Sequence, residues 1–300
     1  MSGDDSRDSS FLIEGQKVAA RPLDPGLYVV ATPIGNLGDI TIRALSTLAA
    51  ADVVACEDTR VTGFLLRYFG IATRLLAYHD HNAERQRPKL MAALAEGRAV
   101  ALVSDAGTPL VSDPGFRLVA EAKAAGHKVV PIPGASAVLA ALVASGLPTD
   151  SFFFAGFLPP KSAGRMKRLA EVATVPATLV FFESAQRVAA ALADMATALG
   201  RQRPAAVARE LTKTFETIRD GTLGDLADKF GSEPPPKGEI VVLVGPPAEV
   251  ATTAADADAV LTDLLREKSV SEAAAEAAAI TGLPRRDLYK RALALKDAAK

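Results

Sequence analysis

Residues 104–115 have the sequence SDAGTPLVSDPG, and this stretch decides the fold because of the elements on either side of it. It follows the apolar run Ala99–Val103, which predicts a buried β-strand, and it precedes a helical pattern. In an open α/β sheet, ligands bind outside the carboxyl ends of the strands, where loops of small residues expose backbone amides. We therefore predict a binding loop, with an ordinary strand-to-helix turn as the alternative, since such turns also use Gly and Pro.

Two further strand ends carry loops of the same kind. TPIGNLGD at residues 32–39 follows the apolar run Leu27–Ala31, and PGASA at residues 133–137 follows Lys128–Ile132. Parallel strands bring their carboxyl ends to one edge of a sheet, so we expect the three loops to form a single site.

Strand and helix patterns alternate from residue 26 to residue 147, which predicts a first α/β domain with a largely parallel sheet. Residues 1–25 are rich in Ser, Asp and Gly and have no sustained period, so we expect a mobile tail that packs little. The predicted strands of the first domain are 27–31, 52–56, 74–78, 99–104 and 128–132.

A second α/β domain is predicted for residues 148–247, and a small helical appendage for residues 256–300. In the appendage, the turn at Thr281–Pro284 ahead of a basic helix is typical of a helix-turn-helix. A helical hairpin packed on the body of the protein is the alternative. The predicted strands of the second domain lie near 177–182, 205–209, 214–220 and 239–244.

The 300 residues are 49% hydrophobic and 23% charged, which is enough to bury a large core in more than one domain. No run of about 18 uninterrupted apolar residues occurs, and the N-terminus lacks a basic-then-apolar signal pattern. We therefore expect a soluble cytoplasmic protein with no membrane partner. Cys56 is the sole cysteine and histidines number three, so neither an internal disulfide nor a metal site is predicted.

The formal net charge of −1 argues against a protein that coats nucleic acid by counterion release. Two local basic patches nevertheless occur, at residues 161–168 and at residues 281–300. A solvated helix face is the simpler explanation of either patch alone. The candidate phosphate contacts in these patches are Lys161, Arg165, Arg285 and Arg286.

Two common nucleotide-binding motifs are absent from the chain. A Rossmann site needs Gly-x-Gly-x-x-Gly directly after the first strand, whereas residues 34–38 are IGNLG. No Walker-type Gly-x-x-x-x-Gly-Lys-Ser/Thr occurs either. The ligand is therefore predicted to be neither NAD nor ATP, which disfavours a nicotinamide-dependent oxidoreductase.

Six motifs in chain order together resemble the 16S ribosomal RNA (cytidine-2′-O)-methyltransferases of the tetrapyrrole methylase superfamily. The resemblance covers about residues 26–246 and the C-terminal helices. Members that methylate corrinoid rings share the fold and the small-residue loops, but the TPIGN and EDTR motifs resemble the ribosomal RNA branch. The six motifs are Thr32–Thr41, Glu57–Arg60, Ser104–Gly115, Pro133–Ala137, Phe181–Ser184 and Arg209–Lys213.

The resemblance implies a two-domain class III methyltransferase that binds S-adenosylmethionine, folded up, in the cleft between its domains, usually as a homodimer. It implies as substrate the ribose of a decoding-centre cytidine, cytidine 1402, in the 16S rRNA of the 30S subunit. By position, the cofactor contacts of the family correspond here to Leu37, Thr108, Val111, Ser136, Ala137, Phe182, Leu211 and Gly238.

Methyl transfer to a ribose hydroxyl is an in-line displacement that depends mainly on positioning, which contributes about 7–11 kcal/mol. A side chain that removes or orients the hydroxyl proton typically adds about 10²–10⁴-fold. Our catalytic candidates are Asp58, Glu210 and Lys213. The structural alternatives are that Asp58 begins a helix and pairs with Arg60, and that Glu210 pairs with Lys213 across a turn.

Two further residues, Arg60 and His79, are candidates for RNA contact. For His79, a hydrogen-bonded loop histidine is the alternative. The chain departs from the family pattern before Arg187, where Ala185-Gln186 stands in place of Pro or Thr followed by His. An amide keeps hydrogen bonding but does not titrate, which argues against a catalytic role at that position.

Two other functions stay open at this point. A methylase of a tetrapyrrole intermediate would share the fold and the cofactor. It would need a cleft open to a flat macrocycle, and it would not need the C-terminal helices. A catalytically silent RNA-binding or ribosome-assembly factor would keep the fold and bind no cofactor.

Overall fold

The computed structural model shows two compact units, one up to Pro246 and one from Pro247 onward. The larger unit contains both predicted α/β halves, and the smaller one contains the helical appendage. Predictions that concern residues 1–8, or Ser112–Pro114 of the first loop, lie outside the described residues. The described residues are 9–111, 115–248 and 254–298.

A β-hairpin of strands β1 (Ser10–Ile13) and β2 (Gln16–Ala19) occupies part of the region predicted as a mobile tail. The prediction is therefore wrong for these residues. Phe11 is 2% exposed and belongs to the core of the first sheet, which anchors the hairpin. Glu14 and Gly15 have φ of 49° and 78°, the backbone region that two-residue hairpin turns require.

A parallel five-stranded sheet forms the first half of the larger unit, as the alternating pattern predicts. Its strands are β3 (Gly26–Val30), β4 (Val53–Cys56), β5 (Leu75–Ala77), β6 (Ala99–Val103) and β7 (Val129–Ile132). Their spatial order is β5-β4-β6-β3-β7, and every neighbouring pair is parallel. The helices of this half are α1 (Ile42–Ala50), α2 (Thr59–Tyr68), α3 (Ala83–Ala95), α4 (Phe116–Ala124) and α5 (Ala137–Ala144).

Both faces of this sheet are covered, as in other parallel sheets. Tyr28 and Ala101 pack into one core, which α1 and the β-hairpin help to close, whereas Leu27 and Leu102 pack into a second core with α3 and α4. Cys56 is fully buried in the first core, as expected of a small core residue. The sheet is thus a rigid base for the loops at the carboxyl ends of its strands.

The second half contains a mainly antiparallel sheet. Its strands are β8 (Phe152–Phe157), β9 (Thr178–Ser184), β10 (Pro204–Arg209), β11 (Thr217–Thr222) and β12 (Glu239–Val244). Their order is β11-β10-β12-β9-β8, and β8 and β9 form its parallel pair. The helices of this half are α6 (Ser162–Val172), α7 (Val188–Leu199) and α8 (Leu223–Ser232).

Strand β8 was not among the predicted strands. Its sequence FFFAGF does not alternate, and its pairing with β9 shifts register between Phe154 and Gly156, so the period-2 pattern is lost. Helix α5 joins the two halves, because Val138 and Leu142 pack in one core with Val180 and Val241 of the second sheet.

The smaller unit is a three-helix arrangement of α9 (Ala254–Leu264), α10 (Val270–Thr281) and α11 (Arg285–Ala298). Ser269 and Glu272 form a capping box at the start of α10, and Gly282 ends that helix at φ 69°. Leu261 and Leu288 are buried in the core of this unit. No helix in the described ranges is long and apolar enough to cross a membrane.

Candidate active site

A cavity of about 410 Å³ lies between the two sheets of the larger unit, at the carboxyl ends of β3, β6 and β7. The three predicted loops do meet at one site. We call its two sides the first wall and the second wall. The first wall consists of Ile34, residues 105–108, Val111 and residues 136–138. The second wall consists of Phe157, residues 182–184, Ala208, Leu211 and residues 238–241.

Most of the residues predicted to contact a cofactor line this cavity. Leu37 does not: it begins a short 3-10 turn, Leu37–Asp39, and Ile34 of the same loop lines the cavity in its place. The predicted residues that line it are Thr108, Val111, Ser136, Ala137, Phe182, Leu211 and Gly238.

Hydrogen bonds tie the loops of the first wall to one another. The Thr32 amide donates to the Gly107 carbonyl at 2.9 Å, and the Thr32 hydroxyl donates to the Ser104 carbonyl at 3.2 Å. The Thr108 hydroxyl donates to the Ala135 carbonyl at 3.2 Å. The loops after β3, β6 and β7 therefore hold each other in place.

The second wall is mainly apolar where it faces the cavity. The Phe182 ring meets the Phe154 ring edge-on at 4.9 Å between centroids and the Phe157 ring at 5.5 Å. Ala208 and Val241 continue this surface on the neighbouring strands. Such a surface suits a flat, uncharged ring system.

A strained, ion-paired turn borders the second wall at residues 210–213. Glu210 and Thr212 have φ of 53° and 66°, a region that residues other than glycine rarely adopt. Lys213 Nζ donates to Glu210 at 2.8 Å and to Glu239 at 2.9 Å, and the hydrogen bond from Lys213 lowers the pKa of Glu210. The turn pair named as the structural alternative is thus present, and a catalytic role for Glu210 or Lys213 stays a prediction.

Two glycines allow this turn to approach the cavity. A Cβ on Gly238, whose φ is 98°, would lie 2.3 Å from the Glu210 carboxyl group. A Cβ on Gly35 would lie 2.5 Å from the aliphatic chain of Lys213. Lys213 therefore crosses directly over the first loop, which places the turn against the first half of the unit.

Asp58 acts as the N-cap of α2 and accepts from the backbone amide of Arg60 at 2.7 Å. The Arg60 guanidinium also bonds both Asp58 carboxylate oxygens, at 2.6–3.1 Å. These bonds lower the pKa of Asp58 to about 2. Asp58 does not line the cavity, so the structural alternative holds and its catalytic role stays a prediction.

Three carboxylates line the cavity itself: Asp105, Glu183 and Glu239. The buried Glu183 side chain lies 3.2 Å from Arg187 Nε and accepts from the Ser184 amide at 2.8 Å. Asp105 accepts from the backbone amide of Asp58 at 2.9 Å. Sequence reasoning missed Asp105 as a candidate, although it directly follows the central strand in the most informative loop.

Arg165 was predicted to contact RNA, and this prediction is wrong. Its side chain is 7% exposed and donates to Asp194 at 2.7 Å and to the Pro160 carbonyl at 2.7 Å. The basic pattern of residues 161–168 does not reveal which of its members faces inward. Lys161 of the same patch is exposed and remains available.

The other predicted RNA contacts are accessible to different degrees. The Arg60 side chain is 89% exposed, although it is paired with Asp58. His79 Nε2 lies 3.0 Å from the side-chain amide of Asn82, as the loop-histidine alternative expects.

In the smaller unit, Arg285 and Arg286 are exposed at the start of α11. Gln186, which replaces the expected histidine, is also exposed. Among the described residues, no group of three or more His, Cys, Asp or Glu side chains is arranged to hold a metal ion.

Comparison with known proteins places this geometry in a class. Residues 26–227 match the family of tetrapyrrole (corrin/porphyrin) methylases. The structure of the methyltransferase CobJ covers 74% of this chain and 95% of its own length, with a TM-score of 0.56 and 23% identity. A uroporphyrin-III C-methyltransferase from Thermus thermophilus, solved with S-adenosyl homocysteine, covers 73% of this chain and 97% of its own, with a TM-score of 0.50 and 21% identity. The chain therefore belongs by sequence and fold to the tetrapyrrole methylase family.

Curated relatives narrow the class further. A Mesorhizobium japonicum protein is 60% identical over 94% of this chain and 96% of its own length, and an Escherichia coli O157:H7 protein is 49% identical over 89% and 94%. Both are named ribosomal RNA small subunit methyltransferase I. Residues 251–296 match the RsmI C-terminal HTH domain, in agreement with the predicted helix-turn-helix. The chain belongs to the ribosomal RNA small subunit methyltransferase I family.

Proposed function

We propose that this protein transfers a methyl group from S-adenosylmethionine to the ribose 2′-oxygen of cytidine 1402, in the decoding centre of 16S rRNA. The observation that carries the proposal is the cavity between the two walls, which gathers seven of the eight predicted cofactor contacts in a family of ribosomal RNA methyltransferases. The target position and the 2′-oxygen rest on the family resemblance that the six sequence motifs carry.

The residues of the cavity fit this cofactor. A volume of about 410 Å³ falls within the usual range for small-molecule sites. The first wall offers main chain and hydroxyls around Thr108 and Ser136, which suit a ribose and a zwitterionic amino acid, and the second wall offers the apolar Phe182 surface for an adenine. When bound, the cofactor supplies an electrophilic methyl group. Thr108, Val111, Ser136, Ala137, Phe182, Leu211 and Gly238 would hold it.

The main contribution of the chain's own residues is to hold the two walls of the cavity in position. Lys213 locks the 210–213 turn to Glu239 and crosses Gly35, so it fixes the second wall against the first loop. Asp58 connects the start of α2 to Asp105 through its backbone amide. We propose that Asp58, Glu210 and Lys213 act in this way, by holding the walls at a set distance, because their side-chain charges are already paired.

We propose that the protein recognises RNA with a small number of positively charged side chains. Lys161, Arg285 and Arg286 are exposed cations that would contact phosphates of an assembled 30S particle. We infer a cytoplasmic location from this proposed substrate. Arg60 and His79 follow the carboxyl ends of β4 and β5, and we propose that a nucleotide enters from this edge of the sheet.

A homodimer is proposed as well. Val61, Phe64 and Tyr68 are 46%, 57% and 58% exposed along one face of α2, and such an apolar stripe suits a second copy of the chain. Sedimentation at micromolar concentration should give the mass of two chains, and Phe64→Glu should give one. A monomeric wild-type protein would contradict this part of the proposal.

The test of the proposed function is methyl transfer from labelled S-adenosylmethionine to 30S particles that lack their native methylations, followed by mass mapping of the RNA. We expect label in a single fragment that contains the decoding-centre cytidine, as 2′-O-methylcytidine. Label on a base, or at another nucleotide, would contradict the proposed position. Cofactor binding without transfer to RNA would instead point to a small-molecule acceptor.

A further inference from the structure

The three carboxylates that line the cavity differ in how their charge is used. Glu183 is paired with Arg187, and Glu239 is paired with Lys213. Asp105 makes no ion pair with any residue in the described ranges. The cavity is therefore lined by one carboxylate that forms no ion pair with a described residue.

The position of Asp105 is nevertheless well defined. Its Oδ1 accepts from the Asp58 backbone amide at 2.9 Å, across the carboxyl ends of the adjacent strands β4 and β6. Its Oδ2 accepts no hydrogen bond from a residue that the structure describes, and the side chain is half-buried at the first wall. One oxygen thus orients the group and the other is available to a ligand in the cavity.

Several charged groups lie with Asp105 at this edge of the sheet. Burial raises the pKa of Glu57 above its usual range, and the negative charges of Asp105 and Asp80 raise it further. Arg60 also faces Asp105, but its guanidinium is committed to Asp58. The groups named here are therefore acids and one arginine that is already paired.

We propose that Asp105 is a catalytic residue of the methyl transfer: its available oxygen accepts the hydrogen bond, and then the proton, of the acceptor ribose 2′-hydroxyl. This inference rests on the proposed function. It differs from the sequence-based candidates, because both oxygens of Asp58 are bound by Arg60 and Glu210 is held by Lys213. Asp105 lines the cavity, and neither of those two carboxylates does.

The proposed step balances in atoms and charge. The ribose 2′-oxygen forms a bond to the methyl carbon as the carbon–sulfur bond breaks, and the electron pair of that bond stays on sulfur, which becomes a neutral thioether. The hydroxyl proton passes to Asp105, which becomes a neutral carboxylic acid and then releases the proton to solvent. No other reactant is needed.

The test compares Asp105→Asn with Asp80→Asn in single-turnover methyl transfer to undermethylated 30S particles. Asparagine retains an oxygen that accepts from the Asp58 amide, so the fold of the loop is preserved. Asp80→Asn removes the same charge from the same group of acids, but Asp80 does not line the cavity. Calorimetry with S-adenosylhomocysteine measures cofactor affinity separately for each variant.

We expect Asp105→Asn to transfer methyl about 10²–10⁴-fold more slowly, with unchanged affinity for S-adenosylhomocysteine. Its rate should rise with pH between about pH 6 and 9, because hydroxide replaces the missing base, whereas the wild-type rate should be nearly flat. Asp80→Asn should behave as the wild type. A merely structural role for Asp105 would not introduce this pH dependence.

Other outcomes overturn the inference in distinguishable ways. If Asp105→Asn retains the wild-type rate and pH profile, Asp105 takes no proton, while the proposed function stands. If it loses affinity for S-adenosylhomocysteine together with its activity, Asp105 maintains the cavity and does not act on the acceptor. If the wild-type protein transfers no methyl to the particles, the proposed function fails and the inference fails with it.

Discussion

In the first wall of the cavity, Asp105 keeps one carboxylate oxygen without a partner among the described residues, whereas in the second wall Glu183 and Glu239 are both ion-paired. The first wall is made of loops that follow parallel strands. The second wall is made of mainly antiparallel strands and a turn locked by Lys213. The difference indicates a division of labour, in which the second wall sets the shape of the site and the first wall supplies the reactive group.

The turn at residues 210–213, which borders the second wall, is strained, whereas no residue of the first wall other than glycine has a positive φ in its described part. Glu210 and Thr212 lie in the left-handed region, which costs about 1–3 kcal/mol for each such residue. The bonds from Lys213 to Glu210 and Glu239 help to hold this conformation. We therefore expect substitutions in the second wall to change the shape of the site and not to act on proton transfer.

Gly238→Ala should have the largest effect in the second wall. A Cβ at φ 98° would lie 2.3 Å from the Glu210 carboxyl group, so Glu210 would have to move and lose its bonds to Lys213 and Glu239. We expect the free energy of unfolding to fall by about 1–3 kcal/mol, and the affinity for S-adenosylhomocysteine to fall at least about tenfold. Thermal unfolding and calorimetry measure the two effects.

The matched control is Gly231→Ala in α8, where an added Cβ meets nothing within 4 Å. Alanine is the better helix former, so stability should rise slightly, by up to about 1 kcal/mol. If Gly238→Ala binds the cofactor product as tightly as the control does, the second wall does not shape the site.

Lys213→Met should have the next largest effect. It leaves the Glu210 carboxylate, whose side chain is 18% exposed, without its cation and should lower the free energy of unfolding by about 1–3 kcal/mol. Lys237→Met, at an exposed neighbouring position, is the control and should stay within about 0.5 kcal/mol of the wild type. Equal losses in urea unfolding for both variants would show that the Lys213 ion pairs do not hold the wall.

A change outside both walls sharpens the comparison further. Reversal of Arg285 and Arg286 to Glu should weaken binding to the 30S particle about tenfold, because two exposed phosphate contacts become repulsive. Affinity for S-adenosylhomocysteine should not change. Filter binding at two salt concentrations gives the first quantity, and equal activity of the reversed protein would rule out a role for these residues.

The smallest effect is expected from Asp58→Asn, and it depends on pH. The pKa of Asp58 is lowered to about 2, below the unfolded value near 3.9, so its stabilisation is present above about pH 4 and is lost as the pH falls through about 2. Asparagine keeps the N-cap but not the charge. The difference in melting temperature between wild type and variant should therefore vanish near pH 2, and a constant difference at every pH would contradict this explanation.

The sequence alone predicted the parallel sheet and most of the cavity. The reason is that three loops of small residues follow three parallel strands, and this topology brings their ends together whatever the side chains do in detail. Thr108 and Ser136, which lie in two of these loops, could therefore be predicted to lie at the site, whereas the prediction for Gly238 rested on the family resemblance.

The features that the sequence did not predict depend on distant partners. Arg165 is buried because Asp194, on another helix, accepts its hydrogen bond, and a local basic pattern contains no information about that residue. The hairpin around Phe11 was missed because its strands have four residues each, which is too short for an alternating pattern to be recognised. Asp105 was overlooked for a similar reason, since only the structure shows that the other two carboxylates of the cavity, Glu183 and Glu239, are ion-paired and that Asp105 forms no ion pair with a described residue.

The most direct test of the division between the walls is a structure of the protein with S-adenosylhomocysteine and an RNA fragment that contains the acceptor cytidine. We predict the cofactor product between Thr108 and Gly238, and the acceptor 2′-oxygen within about 3 Å of the Asp105 carboxylate. An acceptor oxygen nearest to Glu183, Glu239 or Glu210, or a cofactor product bound outside this cavity, would contradict the assignment of the reactive group to the first wall.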